Sequence, residues 1–282
     1  TFAVWRLSCQ QFDWLIGIKM KLTKQLKADI IAHAFDCYPA ECCGLIVDKK
    51  YIPCTNKATD DEQFILCPKD FARAESMGQI QAIVHSHPDG GVLPSDLDKL
   101  QIELHGVPWV IVAVSKQDYG DEPAFGIYEP CGYRPPLLGR AYIHGVQDCY
   151  SLVRDYYSRE LDIDLPDFHR RDGWWEHENH EPLYEQNFEK AGFVTVDKSV
   201  GNLQKHDVIL CRVGRTHHVN HALIWLGDDG ALKSETTPDC VGNALILHHP
   251  YGRQSVREIY GKGWADRTVM VVRHQALSQT NL

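Results

Sequence analysis

The chain has 282 residues, 44% of them hydrophobic and 24% charged, and a formal net charge of −9. That length is about twice the usual domain of ~100–150 residues, so two cores are expected, and the composition is that of an ordinary folded protein rather than a disordered or fibrous one. The acidic balance, with no cluster of Lys and Arg to displace counterions from phosphates, excludes broad nucleic-acid binding, and no apolar run reaches the ~20 residues of a membrane-spanning helix.

Residues 1–20 lack the basic stretch and small-residue cleavage site of a secretory signal and are expected to form an extension ahead of the first domain. Leu22, Leu26, Ile30 and Ala34 recur at helical spacing over Leu22–Phe35, and after Pro39 comes a short apolar strand, Gly44–Val47. A helix is expected over Asp70–Met77, a buried strand over Ala82–His87, a helix over Ser95–His105 stopped by Gly106 and Pro108, and a β-prone strand over Trp109–Ser115. This alternation predicts an α/β first half. The stretch CGYRPPLLG, with Pro135 and Pro136 between glycines, is the best linker signal. Downstream, a helix is expected over Asp148–Arg159 and a second one ending through Asn187–Ala191 at Gly192. Strands follow at Val208–Val213, His221–Leu226, Ala244–His248 and Thr268–Arg273, so the second half reads as α+β. The ten cysteines form no CxxC pair and are too scattered for a disulfide scaffold, so most are expected to be buried thiols.

His85 and His87 lie two residues apart on a predicted strand, so both point from one face of its sheet. Pro88 and the Gly90-Gly91 loop lead to a helix that opens Ser95-Asp96-Leu97-Asp98, which brings a carboxylate within one turn of the helix start. Two imidazoles and a carboxylate suit zinc with an open position for water. Ser95 and Asp98 also read as an ordinary N-cap pair that needs no metal. The run His85-Ser-His87, seven residues, Ser95, two residues, Asp98 resembles the JAMM (MPN+) metallopeptidase pattern, and Glu41 before Cys42-Cys43-Gly44 fits that family's upstream glutamate. The resemblance covers residues 22–128. It implies that His85, His87 and Asp98 bind Zn2+, that Glu41 is general base and acid, and that Ser95 donates to the developing oxyanion.

Cys149 opens a predicted helix with Asp148 available as cap, and a helix start favours the thiolate, so its pKa is expected below the free value of ~8.5. A cysteine nucleophile needs a base from elsewhere in the fold. His221, at the head of a strand, is the candidate, with His248 on the next strand to orient it; His217, His218 and His249 are plausible decoys. Tyr142-Ile-His-Gly145, Asp148-Cys149, His206-Asp207 before a strand and His221-Ala-Leu-Ile-Trp-Leu-Gly-Asp228 resemble the NlpC family of papain-like cell-wall peptidases over residues 139–274. That family places its third polar residue closer to the histidine than the 27 positions separating His221 from His248. Residues Lys233–Asn243 look like an insertion, and the third member is left open among His248, His249 and a residue of that insertion.

Together the resemblances imply a JAMM-type mixed sheet with helices at 21–132, a linker at 133–138 and a papain-like NlpC-type domain at 139–282. That pair of domains resembles the tail-tip assembly proteins of lambda-like long-tailed phages. The resemblance implies a virion component that partners other tail-tip proteins and cleaves peptidoglycan stem peptides, with zinc as its cofactor. The rival expectation is a structural tail-tip component whose sites are latent or lost.

Overall fold

The computed structural model describes residues 20–58, 64–116, 123–171, 173–175, 182–240 and 242–278, and the chain divides into two compact units, residues 1–134 and 135–282. Apart from Met20, the expected N-terminal extension lies outside the described residues. No described helix is long and apolar enough to cross a membrane.

The first unit opens with helix α1 (Lys24–Cys37), capped by Thr23, whose hydroxyl accepts the Leu26 N–H at 3.1 Å. Strands β1 (Cys43–Val47) and β2 (Lys50–Cys54), helix α2 (Pro68–Met77), strand β3 (Ile80–Pro88), helix α3 (Asp96–His105) and strands β4 (Trp109–Val114) and β5 (Phe125–Tyr128) follow. The sheet order is β2-β1-β3-β4-β5. Only β3 and β4 run parallel, and α3 makes the crossover between them. Ile46, Val84, Val110 and Val112 pack against Leu26, Ile30 and Ala34 of α1. From the other face Leu45, Ile83 and Trp109 pack against Ala74 of α2 and Ile102 of α3. A sheet covered on both faces explains why its central strands read as unbroken apolar runs. The sequence pattern does not reveal β2 or β5. Each is an edge strand, β2 carries Lys50 and Pro53, and neither is buried enough to show a clear period.

The second unit contains α4 (Cys149–Leu161), α5 (Leu183–Asn187) and strands β6 (Phe193–Val196), β7 (Val208–Cys211), β8 (His221–Gly227), β9 (Leu245–His248), β10 (Val256–Ile259) and β11 (Thr268–His274). Its sheet, ordered β10-β9-β8-β7-β11-β6, is antiparallel throughout. Helix α4 lays Leu152, Val153, Tyr156 and Tyr157 on a layer that includes Leu210, Ala222, Ile224 and Leu226. One expectation is corrected here: α5 ends at Asn187, not Ala191. Gly192, at φ 85°, turns the chain into β6, with Phe193 N–H bonding back to the Phe188 carbonyl. Within the long β8–β9 connection, the Glu235 carboxylate accepts the N–H groups of Leu137 and Leu138 at 2.7 and 2.9 Å.

Asp207, fully buried, accepts two hydrogen bonds from the Arg273 guanidinium at 2.7 and 2.8 Å and one from Gln204 N–H at 2.8 Å. This fork ties β11 to the turn that starts β7. Breaking a buried pair from one side strands a charge without its partner. Arg273→Met is therefore expected to lower the unfolding free energy by about 3–5 kcal/mol, read as the urea midpoint of the full chain. The Asp207→Leu/Arg273→Met double variant is expected to recover most of that loss.

Candidate functional site

In the first unit, β3 carries His85 and His87 to its C-terminal end, and α3 begins where they emerge. Nε2 of His85 lies 2.9 Å from Nε2 of His87. The Asp98 oxygens lie 3.4 Å from His85 Nε2 and 3.5 Å from His87 Nε2. These three side chains form a group whose donor atoms converge within 4.8 Å. His87 Nδ1 is 2.7 Å from the Gly91 carbonyl, which can only accept. That contact puts the hydrogen on Nδ1 and leaves a lone pair on Nε2, the tautomer a metal ligand requires. Phe64 stacks on the His85 ring at 4.8 Å and Trp109 meets it edge-on at 5.3 Å.

The two sequence readings of Ser95 and Asp98 prove compatible. Ser95 Oγ accepts the Asp98 N–H at 3.1 Å, and Asp98 Oδ2 accepts the Ser95 N–H at 2.7 Å, a complete capping box. The same carboxylate faces both histidines, so the cap fixes the third donor. Burial opposes its ionisation, yet the contacts with His85, His87 and Ser95 hold Asp98 well below the usual carboxylate range. Burial lowers His85, whereas His87 is raised because the Asp98 contact, the Gly91 carbonyl and the charges of Asp98 and Glu41 outweigh its burial. Glu41, buried just before β1, lines one cleft of about 960 Å³ with His87, Ser95 and Asp98.

In the second unit Asp148 caps α4. Its carboxylate accepts from Ser151 N–H at 2.8 Å, Gly145 N–H at 3.0 Å and Arg170 Nε at 2.7 Å. Cys149 follows as the first helical residue, its Sγ 3.2 Å from the Tyr184 hydroxyl and 4.0 Å from the Asn220 carbonyl. His221 begins β8, and its Nε2 lies 2.9 Å from His248 Nδ1. Cys149 and His221 line one cavity of about 360 Å³ with Tyr142, Trp175, His249 and Trp264. No described hydrogen bond joins Cys149 to His221; the thiol is engaged with Tyr184 instead. Of the candidates for the third position, His248 contacts His221. Nearby, His249 packs edge-on against Tyr142 at 5.2 Å, and Glu235 binds backbone far along the chain.

The expectation of a depressed cysteine pKa is overturned. Burial, and then the negative charge of Asp148, push the Cys149 thiol up to about 11, against the lesser opposing effect of the Tyr184 hydrogen bond. Burial also pushes His221 down to about 3, helped by repulsion from His248 and His249. A helix start stabilises a thiolate only while water or dipoles replace its lost solvation, and here desolvation wins. Thiol and imidazole are both neutral at neutral pH. The sequence reading did not include Tyr184, Arg170 or Trp264 among the site residues, and no local motif marks them. Each arrives from a separate segment, and Trp264 stacks on the His221 ring at 5.7 Å. Alkylation of Cys149 by iodoacetamide, followed by peptide mass mapping, is expected to be still accelerating at about pH 9. Tyr184→Phe should move the profile further up; a plateau below neutral pH contradicts this assignment.

A family model described as prokaryotic homologs of the JAB domain matches residues 23–124, and the NlpC/P60 family matches residues 139–273. The chain is 36% identical over 251 residues to Tail tip assembly protein K of Escherichia phage N15, which spans 87% of this chain and 93% of that protein. It is 36% identical over 212 residues to Tail tip assembly protein K of Escherichia phage lambda, covering 75% and 90% of the two chains. A solved JAB1/MPN domain protein from Archaeoglobus fulgidus aligns with 41% of this chain and 93% of its own at 25% identity and a TM-score of 0.27. With a JAB-type domain, an NlpC/P60 domain and identity sustained over nearly all of two relatives, the chain belongs to the tail tip assembly protein K family.

Proposed function

We propose that this chain is a phage tail-tip peptidase whose NlpC/P60 unit hydrolyses peptidoglycan stem peptides, with its JAB-type unit as a second, zinc-dependent hydrolase. The observation that carries the reading is the meeting of a helix-start cysteine and His221, itself joined to His248, in one aromatic-walled cavity. Membership in the tail tip assembly protein K family supports partners among other phage tail proteins, here those of the tip, and a location in the virion.

In this mechanism His221 is the base. Its Nε2 is taken by His248, which leaves Nδ1 to receive the Cys149 proton. The sulfur attacks the substrate carbonyl, His221 returns the proton to the leaving amine, and the C–N bond breaks to leave a thioester. Water, deprotonated by His221, then attacks the thioester and releases the carboxylic acid and the free thiol. Hydrogen bonds of this kind are often long in unliganded enzymes and tighten with substrate.

For the first unit, a lone pair on His87 Nε2 beside His85 Nε2 and a buried, ionised Asp98 fit zinc, with a position open for water or substrate. A bound zinc ion would supply the positive charge that polarises a carbonyl and acidifies water. Glu41 would carry the proton between water and leaving amine. Ser95 Oγ already accepts from the Asp98 N–H, so its own hydrogen is free to donate to the oxyanion. The bond cleaved here is a peptide or isopeptide, with trimming of a tail protein as one case.

A second reading draws on the Tyr184 contact and the raised thiol pKa: a tail-tip component whose cysteine site is latent in the free chain. Muropeptide release from purified Gram-negative peptidoglycan separates the two. Wild type and Asp98→Ala are expected to release stem-peptide fragments, and Cys149→Ala to lose release by at least ~10³-fold; no release by folded wild type favours the latent reading. Equilibrium dialysis against Zn2+ is expected to load about one ion per wild-type chain and none on His87→Ala or Asp98→Ala.

A further inference from the structure

His221, His248 and Glu258 stand on one face of three consecutive antiparallel strands. His248 is directly opposite Leu223 on β8 and Val256 on β10. His221 precedes Leu223 by two residues and Glu258 follows Val256 by two, so the three side chains form a straight diagonal across the sheet. The diagonal is closed by contacts. His221 Nε2 is 2.9 Å from His248 Nδ1, and His248 Nε2 is 3.2 Å from Glu258 Oε1. Trp264 holds the far end. Its indole N–H donates to the same Glu258 oxygen, and its ring lies over His221 and edge-on to His248 at 4.9 Å.

We infer that Glu258 is a positioning residue that sets the tautomers of both histidines from the outer strand. The inference rests on the cysteine-peptidase reading above. A carboxylate only accepts and its negative charge attracts an N–H, so the 3.2 Å approach of Glu258 favours the form of neutral His248 with its proton on Nε2. His248 Nδ1 is then a bare acceptor, and the hydrogen between the rings belongs to His221 Nε2. His221 Nδ1 is in consequence the lone pair that takes the thiol proton. The 3.2 Å approach of Glu258 is the one described polar contact of buried His248 Nε2, though its alignment falls short of a hydrogen bond; without it nothing opposes the inverted arrangement in which His221 Nδ1 already bears hydrogen and cannot act as a base. His248 does not touch the thiol and Glu258 does not touch His221, so the effect passes through two ring tautomers. An ordinary exposed ion pair would contribute little, but here the carboxylate is held by the indole of Trp264 and meets a buried ring.

The test is a long-range 15N–1H correlation spectrum of full-length protein labelled on histidine, assigned with His221→Gln and His248→Gln, alongside steady-state cleavage of a soluble muropeptide. Wild type is expected to show His248 and His221 both protonated on Nε2. Glu258→Leu is expected to shift both rings toward the Nδ1–H form and to lower kcat about 10–100-fold, as when a carboxylate that orients an imidazole is removed, with KM little changed. Glu258→Gln keeps an acceptor oxygen and is expected to restore most of both readouts. Because β10 is an exposed outer strand, the three proteins should unfold at similar urea midpoints. Wild type with His248 protonated on Nδ1, or Glu258→Leu with wild-type tautomers and rate, overturns the inference. If wild type cleaves nothing, the peptidase reading falls, while the spectra still decide whether Glu258 sets the tautomers.

Discussion

A buried carboxylate at the start of a helix is the constraint around which each unit is built. Asp98 and Asp148 are almost fully enclosed, and an ionised group in that position is tolerated only if its oxygens are filled with donors. For Asp98 the donor is the Ser95 backbone, with the His85 and His87 rings at 3.4 and 3.5 Å; for Asp148 the donors are Ser151, Gly145 and Arg170. Satisfying the charge thus fixes the helix start, and the helix start fixes the reactive groups beside it. In the first unit the carboxylate is itself a candidate ligand, and in the second its immediate neighbour is the thiol.

The same physics acts in opposite directions in the two units. In the first, desolvation of Asp98 is overcome by close donors, so a charged oxygen survives beside two imidazoles and makes a site suited to a cation. In the second, the Arg170 guanidinium is paired with Asp148 and acts on the sulfur less than that carboxylate's negative charge does, so burial prevails and the thiol stays protonated. The thiol is therefore activated only when a base removes its proton. That demand makes the state of His221 decisive, and it explains why a chain of ring nitrogens running outward through His248 to Glu258 bears on chemistry at Cys149.

Aromatic packing supports both arrangements. Phe64 and Trp109 hold His85, and Trp264 covers His221 and His248. Rings packed in this way lose rotamer freedom before any substrate arrives, which is the condition for a preorganised site. They also keep water from competing for the ring nitrogens, so that a contact of ordinary length has a larger electrostatic effect than it would at the surface.

The sequence by itself determined the features with a short period. A spacing of two positions between His85 and His87 puts both rings on one face of a strand, and a serine three residues before Asp98 is enough for a capping box. Buried central strands and amphipathic helices were equally readable, because their apolar residues repeat at the spacing of the element. Edge strands β2, β5, β6 and β10 were not, since half-exposed residues carry no clear alternation. Only the tertiary structure decided what lies against Cys149. Tyr184 meets its sulfur, Arg170 pairs with the neighbouring Asp148 and Trp264 lines the same cavity, each from a segment far apart in the chain, and strand register alone places His248 beside His221 and Glu258 beside His248. The thiol's protonation was decided there too, because a helix start is visible in sequence whereas the desolvation that outweighs it depends on everything packed around the sulfur.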